Sequence, residues 1–408
     1  MRKISSFSVD LPKAARQFVQ LQTFFTGMSA ILTLFVNTFL LNAFGSFSVQ
    51  VLLYNAVLAL VQPVAMLTAL WLARRRGVLF TQRVGFVFYG ATLTALCVFA
   101  EAASGFYPLF AVLLSFGAGY YYTVYSAQML TYTRDGNRDL IAGLCGFLGN
   151  VISVLMPLLS GFLISRMGSR IGYSVVFGIA ALLAGCSLLT TRTMPPIALN
   201  GQTGALRYAA KTIFSRSKGW LIMTASGLSD CRTFTLPIFV TLLFYNLVPD
   251  ELLISVNSTV GYVVALLGAA VYGRFVRPDS RVKASVVAAV TVMISCLGIL
   301  LGMNVTVILL FQAVSGFFNT FLATPVLNTH FKYMESLGLG GAYGPEVHLL
   351  RELFVSSGRV LGLLLVWIVP KTNTGAVCVM VCVMLTALIN ALILKTVNKG
   401  DSFAKSAV

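Results

Sequence analysis

Apolar stretches of about twenty residues, the length that crosses a hydrocarbon core, recur along this chain from near Phe18 to near Lys395, and charged residues gather in the short gaps between them. Twelve stretches carry the pattern: Phe18–Asn42, Ser48–Leu72, Leu79–Ala103, Phe106–Tyr132, Ile141–Ser165 and Ile171–Thr191, then Gly219–Asn246, Leu253–Gly273, Ala284–Met303, Val305–Thr329, Val347–Val369 and Gly375–Lys395. Each is expected to be an α-helix, because a helix in lipid satisfies its own backbone groups, whereas a barrel strand needs only about ten residues of alternating polarity. The longest break runs from Arg192 to Lys218, with Pro195, Pro196, Asn200, Gly201 and Gly204 ahead of a basic stretch, and it divides six spans from six. Displacing the first six by about two hundred residues lays each span start near a counterpart. The chain therefore reads as an all-α membrane protein of twelve transmembrane helices in two six-helix pseudo-repeats: residues 1–191, a cytoplasmic central loop over 192–218, and residues 219–408.

Composition and charge sharpen this. The chain is 58% hydrophobic and 10% charged, whereas charged residues make up about a quarter of an ordinary soluble domain. If both termini are cytoplasmic, 23 of the 29 Lys and Arg fall in cytoplasmic segments, Arg74, Arg75, Arg76 and Arg134 among them, while only Arg166, Arg170 and Lys371 reach the other face. That bias fixes the orientation, and the expected location is a bacterial inner (plasma) membrane. The formal charge of +17 then needs no nucleic-acid partner, since basic cytoplasmic loops beside an anionic leaflet account for it. Met1 to Gln17 begins like a signal peptide, but the following apolar run is too long for an h-region and lacks a small-residue cleavage site, so it reads as a retained first helix.

Several chemistries find no residues to carry them. The seven cysteines all fall within predicted spans without CxxC spacing, and His330 and His348 are the only histidines, so neither a metal site nor a disulfide framework is expected. No GxxxxGK[ST] loop is present for a nucleotide. No cofactor is expected, and no convergent nucleophile, base and acid suggests an enzyme. Two repeats in the membrane are instead the mark of secondary transporters, whose substrate site lies between the repeats.

The chain resembles the major facilitator superfamily over nearly its whole length, through its 6+6 pattern, its basic central loop and part of a loop motif. That family carries roughly GxLaDrxGrr after its second span; here Leu70-Trp71-Leu72-Ala73-Arg74-Arg75-Arg76-Gly77 keeps the basic run and the glycine but lacks the first glycine and the aspartate. A partial copy follows span eight, from Gly268 to Gly273 and on to Arg274, with Asp279 as the one acid available. The resemblance implies that Arg74, Arg75, Arg76 and Gly77 form a cytoplasmic gating loop. Pro157 and Gly161 in span five resemble the end of a motif found in the family's antiporters, which implies export.

Ionisable residues at membrane depth cost about 2.5–3.5 kcal/mol each even on insertion scales and tend to be functional. Asp230 and Arg232 in span seven, and Arg351, Glu352 and Arg359 in span eleven, are such residues. Counted from the span starts, Asp230 and Arg359 lie at similar depth, roughly 16–18 Å in, and the family fold makes spans seven and eleven neighbours, so an Asp230–Arg359 pair is expected. His348, Glu352 and Arg359 share one helical stripe suited to a proton path, with Arg351 offset by about 100°. In span four Tyr121, Tyr125 and Gln128 share a face, and by family analogy they line the central cavity together with Arg232, Arg351, Gln312 and Asn319. The segment around Arg351-Glu352-Leu353 and Ser357-Gly358-Arg359 is similar to a small bacterial branch of the superfamily.

The expected function is secondary active transport of a small organic solute by alternating access. Protons are the coupling ion, the partners are a small-molecule substrate and the bilayer, and the protein is a monomer. Efflux by proton antiport follows from span five and a largely apolar, aromatic cavity. The alternatives are proton-coupled uptake of an anionic solute, because the intramembrane arginines outnumber the carboxylates by one, and lipid translocation on the same scaffold.

Overall fold

A computed structural model describes residues 12–45, 49–99, 104–132, 138–197, 204–277, 280–339, 343–368 and 372–405. Arg134, Asp279 and Lys371 lie outside the described residues. The described chain is helical throughout, in order α1 (Lys13–Phe44), α2 (Val49–Arg76), α3 (Val78–Phe99), α4 (Tyr107–Tyr132), α5 (Arg138–Met167), α6 (Ser169–Thr193), α7 (Ala205–Phe214), α8 (Ser217–Leu247), α9 (Glu251–Phe275), α10 (Arg281–Leu301), α11 (Val305–Ser336), α12 (Gly344–Ile368) and α13 (Asn373–Lys405).

Ten of these helices are long and apolar enough to cross a membrane. The other two long ones, α4 and α12, have 26 and 25 residues, ample for a core of about 30 Å. They are less apolar for visible reasons: α4 is diluted by Tyr120, Tyr121, Tyr122 and Tyr125, and α12 carries Glu346, Arg351, Glu352 and Arg359. Large apolar side chains such as Leu60, Leu67, Leu182, Ile294 and Leu392 stand exposed on the outside, the surface that lipid covers.

Packing repeats along the chain. Helix α1 packs on α5 and α6, α2 on α4, and α3 on α4 and α6; seven elements later α8 packs on α12 and α13, α9 on α11, and α10 on α11 and α13. The two groups meet chiefly where α5 lies on α9 and α2 lies on α12. Close approach at the first of these joints is set by Gly161, where a Cβ would sit 2.7 Å from the Glu251 carbonyl oxygen and run into Ser255.

The central segment differs from the loop the sequence suggested. Gly204 takes a left-handed φ of +86° and opens α7, whose Ala205, Ala209 and Ile213 are buried at helical spacing. Ala209 and Ile213 pack in a cluster with Ile222, Met223, Val347 and Leu350, so α7 is anchored on the ends of α8 and α12. Helix α11 also outruns its apolar stretch, continuing to Ser336.

Candidate functional site

A cavity of about 680 Å³ lies between the two groups of helices. One wall carries neutral polar and aromatic side chains: Asn37 of α1, Tyr54, Asn55 and Gln62 of α2, Tyr89 of α3 and Tyr122 of α4. The opposite wall carries every charged side chain that lines it: Asp230 and Arg232 of α8, and Arg351, Glu352 and Arg359 of α12, with His348 beside them. Asn257 and Tyr262 of α9 and Gln312 and Asn319 of α11 complete that wall.

The charges form a linked group. Arg359 donates from Nη1 to Glu352 Oε1 at 2.9 Å and from Nη2 to Asp230 Oδ1 at 3.2 Å. The same Nη1 donates to Gln62 Oε1 at 3.0 Å, reaching across the cavity to α2. Arg351 Nη2 stands 3.9 Å from Asp230 Oδ2, and the Arg359 guanidinium lies over the Phe234 ring, 5.5 Å from its centroid. Arg232 turns elsewhere: its Nη2 donates to Asn319 Oδ1 at 3.1 Å and Thr233 Oγ1 at 3.3 Å. This divergence is the helical one, since residues two apart on α8 project to different sides.

A glycine seam sets these distances. A Cβ on Gly227 of α8 would lie 2.5 Å from the Phe354 carbonyl oxygen, and one on Gly358 of α12 would overlap the Gly227 carbonyl oxygen. Gly362 sits equally close to Thr235 of α8. The Gly358–Gly362 spacing is therefore a packing device that draws α12 onto α8 one residue from Arg359 and three from Asp230.

Of the residues expected to line the cavity, Arg232, Arg351, Gln312 and Asn319 do so, while Tyr121, Tyr125 and Gln128 do not. Tyr121 stacks on Phe25 with centroids 3.4 Å apart and bonds to Gln22 through its hydroxyl. Tyr125 packs on Phe18. Gln128 is fully buried and pairs reciprocally with Gln82 at 3.0 and 2.5 Å. Their shared face turns into the α1–α3–α4 interior, and the neighbouring stripe, represented by Tyr122, faces the cavity. Nothing in the hydrophobic pattern separates the two stripes, because both carry tyrosine.

At the end of the bundle that carries the arginine run, Arg74 bonds to Glu346 at the start of α12, and Leu70 and Met66 pack against Leu349 beside it. Arg75 lies over the Trp71 ring at 4.4 Å, Arg76 is exposed, and Gly77 takes a φ of +92° at the turn into α3. The acid missing from the loop motif has a counterpart in Glu346, on another helix, where no local spacing reveals it. At the far end Tyr173 places its hydroxyl 3.0 Å from Thr38 Oγ1 and 3.1 Å from Glu251 Oε1, joining α6, α1 and α9.

No family profile matches the chain. It is 21% identical over 339 residues, 82% of its length and 77% of the other's, to the uncharacterized protein YqgE of Bacillus subtilis (strain 168). A second relative, an uncharacterized protein in the sodM 3' region of Geobacillus stearothermophilus, is 26% identical over 152 residues, 37% of this chain and 71% of that one. Among solved structures, the POT family transporter PepTSo superposes with a TM-score of 0.74 at 12% identity, covering 96% of this chain and 99% of that one. The nucleoside transporter NupG follows at 0.68 and 12%, covering 95% and 100%. At such identity the likeness speaks to fold: this is a multi-pass membrane protein with a helical transporter fold. That fold is consistent with the resemblance to the major facilitator superfamily that the sequence carries.

Proposed function

We propose that this chain is a proton-coupled secondary transporter that moves a small polar organic solute across a bacterial plasma membrane. On this reading it crosses twelve times, with both termini and the arginine-rich end cytoplasmic, and the halves 1–191 and 219–408 rock about the cavity between them. The neighbours in fold, a POT family transporter and a nucleoside transporter, support the transporter class. The charged and amide side chains on the walls support a solute with polar groups, while apolar side chains such as Leu58, Leu114, Leu236 and Val355 make up most of the lining, in keeping with the apolar, aromatic cavity expected from the sequence.

The observation that carries proton coupling is the position of Arg359. It is held at once by Glu352, by Asp230 and, across the cavity, by Gln62. A proton on Glu352 removes one of the two negative charges that fix the guanidinium, so the charge state of one carboxyl bears directly on a bond between the two halves. A solute entering the cavity competes for the same donors. Proton and solute are thereby linked through one side chain, which is what reciprocal coupling requires.

Proteoliposomes with an imposed pH gradient and an internal pH dye test this, with a panel of small polar solutes added outside. Wild-type protein is expected to move protons only when a transported solute is present. Glu352→Gln is expected to lose gradient-driven accumulation while keeping solute counterflow. Accumulation at the wild-type level in that variant removes Glu352 from the coupling path, and solute flux without proton movement rejects the proposal.

A further inference from the structure

We infer that Arg232 is the anchor for a negatively charged group on the solute, so that the cavity takes small organic oxyanions, carboxylates or phosphates. The inference deepens the transport reading above and rests on it for the identity of the cavity as the solute site. It follows from how the cavity's charges are shared out. Arg359 and Arg351 stand against Glu352 and Asp230 at 2.9, 3.2 and 3.9 Å, two cations balanced by two carboxylates. Arg232 makes none of these contacts, and Asp230 acts on it only through space. Arg232 lines the cavity with only 3% of its surface exposed, and among the described residues no carboxylate comes within 4.0 Å of it.

Its hydrogen bonds leave it equally incomplete. Both go through Nη2, to the neutral oxygens of Asn319 and Thr233, so Nη1 and Nε have no partner among the described residues. The N–H groups of Nε and Nη1 are therefore free to donate to the oxygens of a carboxylate or phosphate, on separate edges of the guanidinium, because both of its parallel forks include Nη2. Burying a lone cation costs several kcal/mol unless a counter-charge meets it, and an anionic solute supplies that counter-charge. A second unsatisfied group lines the same cavity: Asn257 is 2% exposed and its side-chain oxygen has no partner. A solute seated on Arg232 has a neutral polar group here for its remaining part, and the tyrosines and amides of the opposite wall provide more.

Purified full-length protein is titrated, without any gradient, with a series of mono- and dicarboxylates and of sugar phosphates, each matched with its neutral amide or unphosphorylated sugar. Thermal stabilisation and calorimetry give the dissociation constants. Oxyanions are expected to bind and their neutral partners to fail. Arg232→Gln should weaken the best oxyanion on the order of 30-fold, with Arg232→Lys intermediate, the latter guarding against a fold defect in the former. Preference for carboxylates or for phosphates identifies the group within the class. Absence of oxyanion binding throughout the series, a neutral compound binding as well as its charged partner, or an unchanged constant in Arg232→Gln overturns the inference. An oxyanion that binds through Arg232 but is not carried in proteoliposomes sinks the transport reading and leaves the anion site standing.

Discussion

Replacing Gly227 with alanine tests whether the glycine seam holds the charge cluster together. The added Cβ lies 2.5 Å from the Phe354 carbonyl oxygen, against 3.4 Å or more for ordinary contact. Backbone is the obstacle, so the helices themselves must part, by about 0.9 Å at that level. Asp230 is on α8 and Arg359 on α12, so their 3.2 Å bond opens to roughly 4 Å, past hydrogen-bonding range. The 2.9 Å bond from Arg359 to Glu352 lies within α12 and is unaffected. Overpacking of this kind costs about 1–3 kcal/mol, a fall of a few degrees in the melting temperature of the purified protein. Gly90→Ala is the control, because a Cβ there meets nothing within 4 Å, and alanine in a helix interior is neutral or gains about 1 kcal/mol over glycine. A double-mutant cycle with Asp230→Asn separates the cluster from general damage: Asp230→Asn should cost less in the Gly227→Ala background than in wild type. If Gly227→Ala melts with the wild type and Asp230→Asn costs the same in both backgrounds, the seam does not position the pair.

Further outcomes are expected for the Arg74–Glu346 bond and for the two faces of α4. Arg74→Ala should lower stability by about 1–3 kcal/mol by leaving the buried carboxylate of Glu346 without its cation. Adding Glu346→Ala should restore most of the loss, and strictly additive melting shifts would show that the two side chains do not interact. Tyr121→Ala should cost about 3–5 kcal/mol, the price of emptying a core aromatic site, because Tyr121 is 2% exposed and stacked on Phe25. Tyr122→Ala should leave the melting temperature nearly unchanged and weaken solute binding, since that ring is 37% exposed and lines the cavity; equal effects of the two on stability and binding would contradict the assignment of their faces.

Much of this was legible in the sequence because the membrane imposes a one-dimensional rule. A run of apolar residues must be a helix if lipid surrounds it, so span positions follow from composition alone, and depth along a helix follows from counting. That is why Asp230 and Arg359 could be set at one level from residue numbers. Rotation about the helix axis is different. In a soluble helix the polar face marks the outside, but in α4 lipid, core and cavity all accept tyrosine and glycine, so Tyr121 and Tyr122 could not be told apart. Contacts between distant segments were hidden for another reason. Arg74 and Glu346 lie 272 residues apart, and neither shows its partner through local spacing. Helix α7 was readable from Ala205, Ala209 and Ile213, but three small or aliphatic residues among basic ones give a weak signal beside spans of twenty.

Helix α12 is where the separate features meet. Glu346 and Leu349 face α2 at its arginine-rich end, Glu352 and Arg359 line the cavity, and Gly358 and Gly362 press it onto α8. Because a helix is stiff over this length, a shift that frees Arg359 from Gln62 in the middle is expected to act also on the Arg74–Glu346 bond, between three and four turns away. On the proposed reading the α2–α12 joint therefore links the charge cluster, through Arg359 and Gln62, to the contact at the arginine-rich end, through Arg74 and Glu346. On the proposed reading this gives a proton at Glu352 leverage over access to the cavity with no moving loop between them. The opposite joint, α5 on α9, has glycine against backbone at Gly161 and a buried carboxylate only at its far end. On the proposed reading this joint serves as the pivot, so that sensing falls to α12 and support to α5.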